Sequence, residues 1–388
     1  MLCLPPLVTL IGSGVAMASL SFIAGTCGPK SRGQLNMRAV LTKVLLAFAA
    51  CACSTQTTLA DEGGVGFWFP GLFGSLAAVP QVPGWALGIV NLYNPVSGGG
   101  NVAAARQVTI NNLPINVNVN LNATIKANPN LVLVDPTYVF ATPVLGGQLA
   151  ASLAGAYGRS IAGLSGTLTE SVGGITVTKQ GAIEDARDGF SDLYPEVALR
   201  WNNGVNNWMI YGMGDIPVGT YDSTRLANFG IGHGAMDGGV GYTYFDEKAG
   251  HELSVVTGLT YNLVNPSTGY QNGIDWHLDW AASQFLTKTL QVGVVGYVYN
   301  QLTPDRGCAD ILCPFESRTV GIGPQLGIII PSPLIQTYLN FKAFWDVDTQ
   351  NRASGASAWI TLSFSPSPPS SSHESASAPM VTKSALHQ

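Results

Sequence analysis

The sequence predicts an all-β chain that closes into a transmembrane antiparallel up-and-down β-barrel of 12 strands, and three observations carry that prediction. Only 11% of the 388 residues are charged, while 46 are Gly; an average soluble protein carries about 25% charge. Mean hydropathy is positive at +0.23, yet beyond the N-terminal leader no uncharged apolar run reaches the roughly 20 residues that a spanning helix requires. Apolar residues recur instead at every second position over many stretches, so the chain can be greasy overall and still present one polar face throughout. A Gly-rich soluble sandwich shows the same alternation in any one strand. The repetition of the pattern, with aromatic residues at strand ends and no solenoid-type period, favours the barrel.

Taken in order, the chain opens with what reads as two stacked leaders. From Met37, MRAVLTKVLLAFAACACSTQTTLA has Arg38 and Lys43 near its start, an apolar core from Val44 to Ala52, and the small residues Thr58-Leu59-Ala60 before a cut. That is the layout of a secretory signal, with mature protein from about Asp61. The upstream stretch 1–36 is expected to be an over-long start. Removing the leader takes four of the six Cys and leaves 14 basic residues against 23 acidic ones, a net charge of −9 that points away from nucleic acid. The remaining Cys308 and Cys313 form a C-x4-C pair in an exported chain and are expected to close a loop disulfide.

The stretch 61–83 carries Phe67-Trp68-Phe69 followed by Pro70-Gly71 and a short apolar run, and is expected to be a plug or a periplasmic segment. The barrel is expected over 84–364. The clearest alternation starts at Pro114, with Ile115, Val117, Val119, Leu121, Ala123 and Ile125 on one side and Asn116, Asn118, Asn120, Asn122, Thr124 and Lys126 on the other. In a barrel with a wet lumen the first row meets lipid and the Asn row meets the pore. Further strands are read at 131–141, 148–159, 189–202, 205–216, 239–245, 251–263, 273–285, 290–302, 318–330, 336–345 and 356–364. Tight connections alternate with long ones such as 160–188, 217–238 and 303–317, the pattern of short periplasmic turns and long outer loops. With 84–93 this gives an odd count. Both termini on one side demand an even number, so either 84–93 joins the plug, giving twelve, or a strand near 107–112 brings the total to fourteen; twelve is the expectation.

Parity within the strands gives the lumen candidates. Asp275, His277 and Asp279 alternate with Trp276, Leu278 and Trp280, and the tryptophans suit the lipid side. By the same rule Glu196 and Arg200, Gln325, and Lys342 with Asp346 face inward, since Arg or Lys facing mid-bilayer lipid costs about 2–4 kcal/mol. Such groups either shape the selectivity of a narrow channel or fill a small barrel with a hydrogen-bonded core.

The last strand, GASAWITLSF, alternates Ala356, Ala358, Ile360, Leu362 and Phe364 with Ser357, Trp359, Thr361 and Ser363. Its terminal Phe364 resembles the signal by which outer-membrane barrels are inserted, which implies the barrel-assembly machinery as a partner. The Pro/Ser/Ala-rich stretch 365–388 is expected to be a disordered tail. Together with PGLFGSLAAVPQVPGWALG (70–88), YVFATPVLGGQLAASLAGAYG (138–158), GFSDLYPEVALRW (189–201), GYVYNQLTPDRG (296–307), SRTVGIGPQLGIIIP (317–331) and LNFKAFWDVDTQNRASGASAWITLSF (339–364), it makes the chain resemble the MetA-pathway phenol-degradation family of outer-membrane proteins. The TPVL at 142–145 stands where that family has a VTPWK-like turn.

The resemblance implies a monomeric barrel in the bacterial outer membrane, surrounded by lipid, that passes small hydrophobic or aromatic solutes. The rival classes are a structural or adhesive barrel and an outer-membrane enzyme. Against the enzyme, the sequence has no GxSxG elbow and no HExxH helix. No catalytic residue, metal site or cofactor is expected.

Overall fold

A computed structural model describes residues 66–110, 113–172, 175–307 and 316–368. The leader at 1–60, both cysteines of the expected disulfide (Cys308 and Cys313) and the tail from 369 lie outside the described residues. The described residues form 14 strands: β1 (Gly84–Tyr93), β2 (Val96–Ile110), β3 (Leu113–Ala127), β4 (Asn130–Val139), β5 (Gln148–Val172), β6 (Ile175–Asn203), β7 (Asn206–Asp215), β8 (Ala235–Asp246), β9 (His251–Asn262), β10 (Asp275–Phe285), β11 (Leu290–Gln301), β12 (Arg318–Ile330), β13 (Ile335–Gln350) and β14 (Ser354–Pro366). Twelve of them close a barrel wall in the order β1-β4-β5-β6 and onward to β14, every pair antiparallel. The seam is β1 against β14, in register from Leu87↔Phe364 to Tyr93↔Ala358. A closed sheet leaves no unpaired edge, which is what a spanning β-structure needs in hydrocarbon.

The strand number agrees with expectation; the membership does not. Residues 84–93 are a wall strand and not part of the plug, whereas the best-alternating stretch, now β3, is outside the wall. β2 and β3 pair with each other from Val96↔Ala127 to Ile110↔Leu113 and continue β1 and β4 upward as one long hairpin. The breaks fall at Asn94-Pro95 and Asn128-Pro129, where Pro has no N–H for a ladder. Beyond them β3 pairs with the far half of β5, from Ala127↔Ala162 to Asn118↔Ser171. The stretch expected as the long loop 160–188 is likewise strand, paired from Ser160↔Arg187 to Val172↔Ile175.

Register also moves the Asn row. Asn118, Asn120 and Asn122 pair with Ser171, Thr169 and Thr167 of the far half of β5, so this stretch stands on the hairpin beyond the barrel wall. A half-solvated strand alternates in the same way whether it crosses lipid or projects above it.

The connections at 204–205, 247–250, 286–289 and 331–334 are short, and the barrel's first and last strands begin and end on that side. This is the periplasmic end of such a barrel, and the long hairpins stand at the outer end. The last strand runs two residues past Phe364, with Ile335↔Pro366 as its final pair. Outward positions are apolar, and aromatic residues gather at both rims. Trp85, Tyr138 and Trp208 mark the short-turn end, and Tyr157, Phe190, Tyr261 and Trp345 the other; all are exposed. Inward positions are buried and mostly polar or small, as the alternation of β10 and β12 displays.

Candidate functional site

The barrel interior is occupied by the segment 66–83, which contributes no strand to the wall. It enters as a string of turns closed by Leu72 N–H to Phe69 O (3.0 Å) and Val79 N–H to Leu76 O (3.0 Å). Its remaining backbone groups need partners once buried, and inward side chains of the wall supply them. Gly71 N–H and Phe73 N–H donate to the two carboxylate oxygens of Asp279, at 2.9 and 3.0 Å. Lys342 Nζ returns a bond to Gly71 O at 2.7 Å and lies 4.9 Å from the ring centre of Trp359. Leu76 N–H is shared between Glu252 Oε1 (3.1 Å) and Ser254 Oγ (3.0 Å), and Ser75 Oγ donates to Glu252 Oε2 at 2.8 Å. Gln325 Nε2 donates to Ser75 Oγ at 2.6 Å, Ala78 N–H to Thr243 Oγ1 at 3.1 Å, and Arg200 Nε to Ala77 O at 3.1 Å. Hydrogen bonds to charged groups contribute about 1.5–3 kcal/mol each, so these contacts fix the segment strongly.

Two backbone details explain why the segment has this sequence. Gly71 sits at φ +87°, and a Cβ there would lie 2.7 Å from Phe344 Cζ. Leu76 also adopts positive φ, at +64°, a conformation that costs a non-Gly residue on the order of 1–3 kcal/mol. Its two acceptors on β9 hold it there.

The eight lumen candidates all lie on inward positions. Asp275, His277, Asp279, Arg200, Gln325 and Lys342 are buried, and Glu196 and Asp346 are half-buried. Asp275, His277 and Asp279 do not converge on one another. Asp275 accepts from Asn262 Nδ2 at 2.8 Å and so braces β10 against β9 near the outer end. His277 Nε2 meets Asp237 Oδ2 at 2.9 Å, and Thr260 Oγ1 donates to that same oxygen at 2.5 Å. Asp279 holds the interior segment, with Gln325, Lys342 and Arg200. Asp346 works at the outer rim: Tyr297 Oη (2.5 Å) and Thr319 Oγ1 (3.1 Å) donate to one oxygen and Gly355 N–H (2.8 Å) to the other. Among the described residues no group of three His, Cys, Asp or Glu could hold a metal ion.

Sequence reasoning missed Asp237, Glu252 and Ser254. Asp237 fell just before the start assigned to its strand, whereas Glu252 and Ser254 alternate with Leu253 and Val255 and were within reach of the same parity rule. It also missed that Trp68 would be buried face to face with His277.

The family model described as "Putative MetA-pathway of phenol degradation" matches residues 108–362. No curated protein matches the chain. Among solved structures, an outer membrane channel from Pseudomonas putida F1 superposes with a TM-score of 0.53 at 11% identity, covering 74% of this chain and 96% of that one. The transport unit of the autotransporter AIDA-I from Escherichia coli gives 0.40 at 9% identity over 80% of this chain and 100% of that chain.

Proposed function

This chain belongs to the MetA-pathway phenol-degradation family and lies in the bacterial outer membrane as a closed barrel, and from that premise we propose that it is a channel for passive uptake of small hydrophobic or aromatic compounds, with 66–83 as its plug. The observation that carries the reading is that the wall is complete without the plug: β1 and β14 close the seam directly, and 66–83 is attached to the wall by side-chain contacts. A filler held in this way can be shifted or released without opening the sheet. No catalytic step is assigned to the buried His277 and its carboxylate, because Asp237 Oδ2 is already shared between the ring and the Thr260 hydroxyl in a packed interior.

Refolded full-length protein in planar bilayers tests this. Discrete openings that phenol in the bath blocks or modulates, together with phenol entry into proteoliposomes above the lipid-only rate, are the expected outcome. A correctly folded, heat-modifiable barrel that neither conducts nor speeds phenol entry would leave a structural or adhesive role, which the long outer hairpins β2–β3 and β5–β6 favour.

A further inference from the structure

Trp68 is held differently from the rest of the plug. The stretch 71–78 is held mainly by hydrogen bonds, and Phe67 and Phe69 pack at 6.0 and 6.2 Å between ring centres against Tyr194, whereas the indole lies face to face on the His277 imidazole, with ring centres 3.4 Å apart and planes 12° from parallel. Phe73 stands 5.8 Å away and leads on to Tyr211 at 5.3 Å. Met209, Tyr211, Val256 and Tyr299, from three separate wall strands, belong to the same buried cluster. The indole Nε1 is buried with no hydrogen-bond partner, so the ring face makes the contact and the polar edge adds nothing.

The surroundings are a property of the wall. His277 is oriented by Asp237, which is itself fixed by Thr260. Space for the rings is made by glycines: a Cβ on Gly258 would lie 2.4 Å from Tyr211 Oη and 2.9 Å from His277 Cε1, and one on Gly239 would lie 2.7 Å from Tyr211 Oη. Stacked and edge-on ring contacts of this kind select flat π-systems over saturated rings of equal size. Remove the plug's side chain, and the wall still presents an aromatic slot.

We propose that the slot on His277 is the binding site for a flat aromatic solute of one ring or two fused rings, and that Trp68 fills it in the closed barrel as the chain's own stand-in for that solute. The inference rests on the channel reading for its biological meaning, although the slot itself does not. An arriving solute would replace the indole on His277, which couples occupancy of the site to displacement of the plug.

The test is calorimetric titration of the full-length protein in detergent with indole, phenol and cyclohexanol, comparing wild type, Trp68→Ala and the double variant Trp68→Ala with His277→Gln. Gln keeps a donor for Asp237 and removes only the ring. Trp68→Ala should bind indole at least ten-fold tighter than wild type does, prefer phenol to cyclohexanol, and lose at least ten-fold when His277 becomes Gln. Equal affinity for phenol and cyclohexanol, or indifference to His277, would mean an ordinary cavity and overturn the proposal. Should Trp68→Ala fail to refold alone, indole in the refolding buffer must restore the heat-modifiable barrel, and failure of that rescue also overturns it. Binding is read without transport, so a barrel that binds indole but never passes phenol refutes the channel reading alone.

Discussion

Gly71 shows how much of the interior depends on single positions. Its φ of +87° and the 2.7 Å approach to Phe344 are separate demands, and Gly146 allows them to be separated. Gly146 has φ +72°, and a Cβ there would meet nothing within 4 Å, so Gly146→Ala costs only the left-handed backbone term, about 1–2 kcal/mol. Gly71→Ala adds displacement of the Phe344 ring, and with it disturbs the bond that Gly71 N–H donates to Asp279 and the one that its carbonyl accepts from Lys342. The expected result is a plug that becomes sensitive to protease between 67 and 80 in Gly71→Ala, with the barrel still heat-modifiable, and no such sensitivity in Gly146→Ala. Equal behaviour of the two variants would show that the close approach to Phe344 carries no weight.

At the scale of elements, alternation located the strands well because each wall strand is buried on one side by the lumen and apolar on the other. Parity alone put Asp279, Lys342 and Gln325 on the inward side, and all three are buried. What alternation could not convey is where a strand stands along the barrel axis, so β3 passed for a wall strand, and the demand for an even count then set 84–93, now β1, toward the plug. Nor could it convey contacts such as Asp279 with Gly71, 208 residues apart. The outer element 217–234 has its own clamp on β6, beyond the membrane-spanning part. Arg225 Nε and Ala227 N–H both donate to Asp185 Oδ2 at 3.1 Å, and Arg225 Nη2 to Oδ1. The Arg225 hydrogen bond, then that from Ala227, holds the Asp185 carboxyl down to about 2 from an ordinary 3.8. A lowered carboxyl pKa stabilises the folded form above the ordinary value and loses that contribution as pH falls through the lowered one. Normalised hydrogen exchange over 219–231 should therefore rise between pH 4 and 2 in wild type, and should already be high at pH 5 in Asp185→Asn. Exchange that is flat across this window in wild type would show that the clamp does not order the loop.

For the whole molecule, the charge of the interior sets what a vacated lumen would admit. Facing inward are Asp135, Glu196, Asp215, Asp237, Glu252, Asp275, Asp279 and Asp346, against the buried cations Arg200 and Lys342. In the closed barrel the excess is moderated by the plug, whose N–H groups face Asp279 and Glu252 while its carbonyls engage Lys342 and Arg200. Withdrawing the plug removes donors from the carboxylates and acceptors from the cations, and water replaces both. A narrow pore walled by low-dielectric sheet and lined by one sign of charge concentrates the opposite ion. Deleting 61–83 should thus yield a barrel that still closes through β1 and β14, conducts more than the full-length protein, and prefers K⁺ to Cl⁻ in reversal potentials measured across a salt gradient. Raising the salt should weaken the preference, because the Debye length falls from about 10 Å at 0.1 M to about 3 Å at 1 M. Neutral aromatic solutes would feel little of this field, so a large cation preference together with unchanged phenol entry would place the two permeants on different determinants: carboxylates for ions, and the ring slot on His277 for the solute. Anion preference in the deleted barrel would instead mean that Arg200 and Lys342 govern the constriction.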